Sequence, residues 1–212
     1  MKIGLLLGSF DPIHIGHINI AACALNSKLC DKVLFVVAKH NPWKEHMPSP
    51  FELRCDMVKA SIMGFNGRCE VCDIEKDIEP PTYSYKVIEA LRNAYPQDEL
   101  MLIGGSDTFD SITQWKNFNS NIKNQISFIE IKRNDGTKIE NDKIPFIIHL
   151  GSRKDLGDKE FWYIKTQKMD VSSTMIRNMV KNGMNPIPYI NENVLNIIIN
   201  NELYKNGNET EI

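Results

Sequence analysis

No apolar run in this sequence is long enough to cross a bilayer: the N-terminal "KIGLLLG" and the later "VLNIII" both fall far short. The N-terminus also lacks the extended hydrophobic region of a secretory signal, so the chain is expected in the cytoplasm, with no membrane partner. Positive charge is not in excess either. Lys and Arg number 25 against 27 Asp and Glu, a formal charge of -2, so no global basic field recruits nucleic acid. Any anionic ligand must then be small and locally bound. Cysteine is sparse: five residues, Cys23, Cys30, Cys55, Cys69 and Cys72, odd in number and without the spacing of a disulfide framework, which fits a reducing compartment. Cys69 and Cys72 in "CEVC" have metal-knuckle spacing, but no second pair accompanies them and the segment reads as a strand. They are taken as buried or half-buried thiols rather than zinc ligands. Also missing are a G-x-S-x-G elbow, a Walker G-x-x-x-x-G-K-[ST] loop and a carboxylate cluster spaced as a metal cage. A serine-nucleophile hydrolase, a P-loop NTPase and a protein-built metal site are thereby disfavoured.

What is present is an ordinary globular composition, 42% hydrophobic and 25% charged, with a clear alternation of patterns. Short apolar strand patterns lie near 2–7, 32–37, 69–74, 99–103, 126–131 and 144–149, and helical patterns near 15–29, 51–63, 84–95, 173–182 and 191–203. That order predicts an α/β fold, a Rossmann-like doubly wound parallel sheet with helices on both faces, in which ligands bind beyond the carboxyl ends of the strands. The expectation is one domain over 1–205, with a helical C-terminal part about 173–204 and a disordered polar tail, 206–212. Ile15, Ile18, Ala22, Leu25 and Leu29 recur at helical spacing in the first helix.

The first strand runs into "GSFDPIHIGH" at 8–17, a strand-to-helix turn that carries two histidines three apart. Gly8 lets backbone approach a ligand, Pro12 stiffens the loop, and the following helix start presents unpaired N–H groups that attract phosphate. His14 and His17 would flank that anion hole and donate to phosphate oxygens as charge develops in a transition state. Alone, the pattern could also be a plain helix start with Asp11 as its cap. A second helix start, "SSTMIR" at 172–177, combines a Ser cap with Arg177, so two anion-binding helix ends can clamp one triphosphate.

Together these motifs resemble the nicotinate (nicotinamide) mononucleotide adenylyltransferase family of the H-x-G-H nucleotidyltransferase superfamily. "GSFDPIHIGH" is similar to its G-x-F-D-P-x-H-x-G-H signature, "SSTMIR" to its S-S-T-x-I-R, and "IGGSDTFDSITQW" at 103–115 to its G-x-D segment followed by a tryptophan. "PPTYSYKVIEAL" at 80–91 and the closing "YINENVLNIIINNELY" match in order, so the likeness runs from about residue 3 to residue 204. The resemblance implies transfer of AMP from ATP to nicotinate mononucleotide, giving nicotinate adenine dinucleotide and pyrophosphate, with Mg2+ carried on the ATP phosphates. It implies a catalytic clamp of His14, His17, Lys44 and Arg177. ATP contacts fall to Gly8, Ser9, Phe10, Gly16, His17, Gly105, Asp107, Ser172, Ser173, Thr174 and Arg177. Mononucleotide contacts fall to Ser9, Phe10, Lys44, Tyr83, Ser84, Trp115 and Arg133. Judged singly, Trp115 and Tyr83 could be packing aromatics, Asp107 a helix cap and Arg133 half of a surface ion pair. One departure stands out: where the family has P-P-H-K, this chain reads "NPWK" at 41–44, which keeps Lys44 but bears on the choice between nicotinate and nicotinamide mononucleotide. Rival readings are a pantetheine-phosphate adenylyltransferase, a glycerol-phosphate cytidylyltransferase, a class I synthetase fragment, and a non-catalytic nucleotide sensor of the same fold. A homo-oligomer is compatible with the sequence.

Overall fold

The computed structural model describes residues 1–39, 49–133, 146–149, 155–156, 158–167 and 169–205, with only the backbone of Arg133 and 146–149. Its strands are β1 (Lys2–Gly8), β2 (Lys32–Val37), β3 (Cys69–Cys72), β4 (Glu99–Gly105), β5 (Ser127–Arg133), β6 (Phe146–His149) and β7 (Phe161–Thr166). The helices are α1 (Ile15–Asn26), α2 (Phe51–Ile62), α3 (Ser84–Ala94), α4 (Ser106–Ser111), α5 (Ser173–Lys181) and α6 (Glu192–Asn200). Among the described residues the strands form one seven-stranded sheet in the order β3-β2-β1-β4-β5-β7-β6. The order reverses direction between β1 and β4, and such a switch point opens a crevice at the carboxyl ends of the two strands.

Strands covered on both faces need apolar side chains pointing both ways, and β2 shows this directly. Val33, Phe35 and Val37 enter one core with α1, α2, α5 and α6, while Leu34 and Val36 enter the other with α3 and α4. Each such buried side chain stabilises the fold by about 1.5–3 kcal/mol relative to exposure.

Three expectations need correction. The strand near 144–149 is present as β6 but pairs antiparallel to β7, so the sheet is parallel over six strands and closes on an antiparallel edge. β7 itself was not anticipated. Its "FWYIKT" ends in polar residues and carries no simple alternation, yet it pairs with β5 in the register Phe128↔Phe161. Finally, α1 stops at Asn26 and buries Ile20, Ala21, Cys23, Ala24 and Leu25, whereas Ile15, Ile18 and Ala22 are only half-buried. Small side chains dominate that face because the helix lies close against the sheet, where bulk would hold it away.

Candidate active site

The turn after β1 is built around an aromatic ring. Phe10 lies in the left-handed region, φ 49°, which is costly for a bulky side chain, and its ring is buried against Phe35 (5.5 Å between centroids) and the edge of His17 (5.1 Å). A Cβ on Gly8 would meet that ring at 2.9 Å. The Phe10 side chain thus packs against Gly8 and belongs to the core. Any ligand contact of these two residues must come from their backbone.

His14 caps α1, not Asp11. Its Nδ1 accepts from the Gly16 N–H at 3.1 Å, and His17 Nδ1 accepts from the His14 N–H at 3.3 Å, so the pair forms a reciprocal box across the first turn. The rings stack with centroids 3.7 Å apart and 26° between planes. Because both Nδ1 atoms accept, the proton of each neutral ring is assigned to Nε2, which makes both imidazoles donors on that side. Gly16 fits closely here, since a Cβ would meet the His14 ring at 3.0 Å and Val171 at 3.1 Å, tight enough that one of them would have to shift.

The second helix start docks onto this turn. Ser172 caps α5 by accepting from the Met175 N–H at 3.1 Å, Ser173 Oγ donates to the Pro12 carbonyl at 2.9 Å, and Arg177 Nη1 donates to the Asp11 carbonyl at 2.8 Å. Arg177 Nη2 also bonds Thr174 Oγ1 at 3.1 Å. The start of α5 thus reaches the loop before α1 across 161 residues of sequence, from Ser173 to Pro12. Beneath them, the Asp11 carboxylate accepts from the Tyr204 hydroxyl at 2.7 Å and from the Ser49 N–H at 3.3 Å. Burial, with Asp11 alongside, pushes the Tyr204 phenol well above its ordinary value.

Sequence reasoning missed the buried cation that ties the strand ends together. Arg54, 1% exposed, donates from Nη1 to the carbonyls of Ser9 (2.7 Å) and Ala38 (2.6 Å), from Nε to Ser49 (2.8 Å) and from Nη2 to Lys39 (3.3 Å). Burial lowers its pKa, opposed by Asp11. Glu75 was missed too. Burial raises its carboxyl above the usual range, opposed by hydrogen bonds from the Lys39 N–H and Thr82. Charged residues in amphipathic segments read as solvated faces, so only the packed neighbours could have revealed either one. Among the described buried side chains, Ser9 Oγ has no hydrogen-bond partner.

Toward the other side of the switch point, β4 ends at Gly105, the N-cap of α4, and the exposed Asp107 sits in the first turn of that helix. Trp115 follows, half-buried against the second core, and its neighbour Lys116 places Nζ 4.3 Å from the centre of the Tyr83 ring. Tyr83 immediately precedes α3, which begins at Ser84 with no side-chain cap and no acidic residue in its first turn. Lys116 thus links the Trp115 segment to Tyr83 at the start of α3. A small pocket opens between α1 and the ends of β5 and β7, lined by Gly16, Asn19, Ile20, Ile131, Thr166 and Gln167 among others. Thr166 and Gln167 come from the unanticipated strand and the residue after it.

Lys44, with the whole of "NPWK", lies outside the described residues, as does the 206–212 tail. Arg133 ends β5, and its side chain is likewise not described. Cys69 is buried and Cys72 half-buried, and burial raises both thiols, Cys69 to about 12. Among the described residues no group of three or more His, Cys, Asp or Glu side chains could hold a metal ion, and no helix is long and apolar enough to cross a membrane.

Comparison with known proteins agrees with this geometry. The sequence profile of the cytidylyltransferase-like family matches residues 5–179. A protein of Cytophaga hutchinsonii described as "probable nicotinate-nucleotide adenylyltransferase" is 30% identical over 97% of this chain and 100% of its own length. A second, from Flavobacterium psychrophilum and described in the same words, is 31% identical over the same shares. The Plasmodium falciparum nicotinic acid mononucleotide adenylyltransferase, solved in complex with NaAD, superposes with a TM-score of 0.74 at 20% identity, covering 96% of this chain and 97% of that one, and so supports the fold. The chain belongs to the cytidylyltransferase-like family and is a nucleotidyltransferase. Within that family its relatives are the nicotinate-nucleotide adenylyltransferases.

Proposed function

We propose that the enzyme serves NAD biosynthesis by transferring AMP from ATP to nicotinate mononucleotide, releasing pyrophosphate. The observation that carries this reading is the junction of α1 and α5. Ser173 and Arg177 bond the backbone of the loop whose helix presents both imidazoles, so two positive helix ends and three cationic or donor side chains converge. A triphosphate fits such a clamp.

In the reaction, an oxygen of the mononucleotide's 5′-phosphate attacks the α-phosphorus of ATP in line. The bond from that phosphorus to the bridging oxygen breaks, and its electron pair leaves with pyrophosphate. No side chain is needed as a nucleophile, so catalysis rests on orientation and on donors placed where charge accumulates. His14 and His17 supply Nε2–H donors, Arg177 and Lys44 supply positive charge, and Ser9 Oγ meets a phosphate oxygen. The donor set at the junction is imidazole, hydroxyl and guanidinium with no carboxylate cluster. Mg2+ would accordingly ride on the ATP phosphates, where it neutralises charge on the leaving group.

The pyridine ring would stack on Trp115, near Tyr83. The start of α3 offers N–H groups that no side chain caps, and Lys116 adds a positive charge beside Tyr83. Such surroundings favour the carboxylate of nicotinate over the neutral amide of nicotinamide, whose NH2 would face donors and leave one unpaired. The test is a side-by-side measurement of kcat/KM for the two mononucleotides with ATP. Nicotinate mononucleotide is expected to be preferred about tenfold or more. An equal or higher value for nicotinamide mononucleotide would overturn the nicotinate assignment and leave adenylyl transfer standing.

A further inference from the structure

We infer that buried Glu75, acting with Arg54, is a positioning residue for the mononucleotide subsite, fixing the separation between its phosphate side and its pyridine side. The inference rests on the function proposed above. Lys39, just past the end of β2, is the shared link. Its carbonyl accepts from Arg54 Nη2 at 3.3 Å, and its N–H donates to Glu75 Oε2 at 2.9 Å. Its Nζ donates to the Lys76 carbonyl at 3.1 Å, a second tie to the turn that carries Glu75.

From this link the two charged groups reach opposite ends of the site. Arg54 holds the carbonyl of Ser9, the residue with the orphaned hydroxyl at the phosphate side. Glu75 bonds the side chain of Thr82, which immediately precedes Tyr83 and the uncapped start of α3. All three side chains are nearly inaccessible: Arg54 1%, Glu75 4% and Thr82 6% exposed. A buried carboxylate and guanidinium are costly unless each is saturated with hydrogen bonds, and here the partners are the backbone of one side of the site and the threonine of the other. A chain of hydrogen bonds through a buried interior couples the positions of its two ends. A mononucleotide contacting both ends is more sensitive to that spacing than ATP, which meets only the Ser9 end and is gripped mainly by α1 and α5.

The test is steady-state kinetics of the intact protein and of Glu75→Ala, Glu75→Gln and Thr82→Val, with KM measured separately for nicotinate mononucleotide and ATP, alongside thermal unfolding. For Glu75→Ala the mononucleotide KM is expected to rise about tenfold while the ATP KM moves less than about twofold. Glu75→Gln should recover most of the loss, since its amide oxygen can accept from Lys39 and its NH2 can reach Thr82. Thr82→Val, which keeps shape and removes the hydroxyl, should shift the mononucleotide KM about threefold in the same direction with little change in Tm. If Glu75→Ala fails to fold, the Thr82→Val and Glu75→Gln pair decides. A lowered Tm with both KM values unchanged, or equal rises in both, would overturn the inference and mark the network as structural support alone. An intact protein that turns over neither mononucleotide would instead overturn the proposed function, and the inference with it.

Discussion

The two halves of the site are held in different ways. At the phosphate half, the His14–His17 box, the Ser173 and Arg177 bonds to the loop backbone, and the Asp11–Tyr204 pair lock residues from both ends of the chain, and Ser9, Asp11 and His14 are all buried. At the pyridine half, Tyr83 and Trp115 are half-exposed, Lys116 rests on a ring face, and Glu75 with Thr82 supplies the buried support. A triphosphate chain presents the same oxygens in every nucleotide, so a rigid donor set can serve it. A ring that must be told from its amide analogue needs fewer, better-placed contacts. Rigidity is therefore concentrated where charge develops, and selectivity where side chains retain freedom.

The difference can be attacked from the phosphate side first. His17→Ala removes one transition-state donor, and turnover is expected to fall about 100-fold or more with the fold intact. A folded variant with near-normal kcat would take His17 out of the clamp. His14→Ala should be both slow and less stable, by about 1 kcal/mol, because His14 is also the helix cap. Next in size is Arg177→Lys, expected to lose about tenfold in kcat. An ammonium cannot hold the Asp11 carbonyl and Thr174 while also meeting phosphate as the planar fork does. Full activity in that variant would show that charge alone suffices.

A smaller effect, on stability, is expected for Tyr204→Phe. Losing the hydroxyl deprives the buried Asp11 carboxylate of a donor and should cost about 1–3 kcal/mol, read as a Tm lower by several degrees. The pH dependence has a definite sign. The native phenol titrates above the ordinary value of 10.0, so above that pH the unfolded chain releases a proton that the native state keeps. The contribution is intact below pH 10 and is lost as pH rises. Unfolding midpoints of the two proteins should thus converge above pH 10, and a constant gap would contradict the buried, neutral Tyr204. The smallest effect belongs to the pyridine half: Trp115→Phe keeps an aromatic face and should raise the mononucleotide KM only about threefold, with the ATP KM unchanged.

These effects also mark what could be read without coordinates. Parallel strands covered on both faces are nearly continuous apolar runs, so β1, β2 and β4 stood out, as did the Ser172 cap of α5. β7 did not, because a short strand with Lys165 and Thr166 at its end is recognisable only once β5 lies beside it. The phosphate half was legible because helix-end chemistry is local in sequence: "GSFDPIHIGH" and "SSTMIR" each contain their own cap. Their supports were not local. Tyr204 reaches Asp11 across 193 residues, and Arg54 reaches Ser9 across 45, so no window of sequence contains both partners. The burial of the Phe10 ring was hidden for the same reason, since its place is set by Gly8 and Phe35 rather than by the motif.

The most direct test is product stoichiometry with purified protein, ATP, Mg2+ and nicotinate mononucleotide. Adenylyl transfer through the paired helix ends requires one pyrophosphate for each dinucleotide formed, and no ATP cleavage when the mononucleotide is withheld. Release of ADP and inorganic phosphate, or no dinucleotide at any mononucleotide concentration, would contradict it.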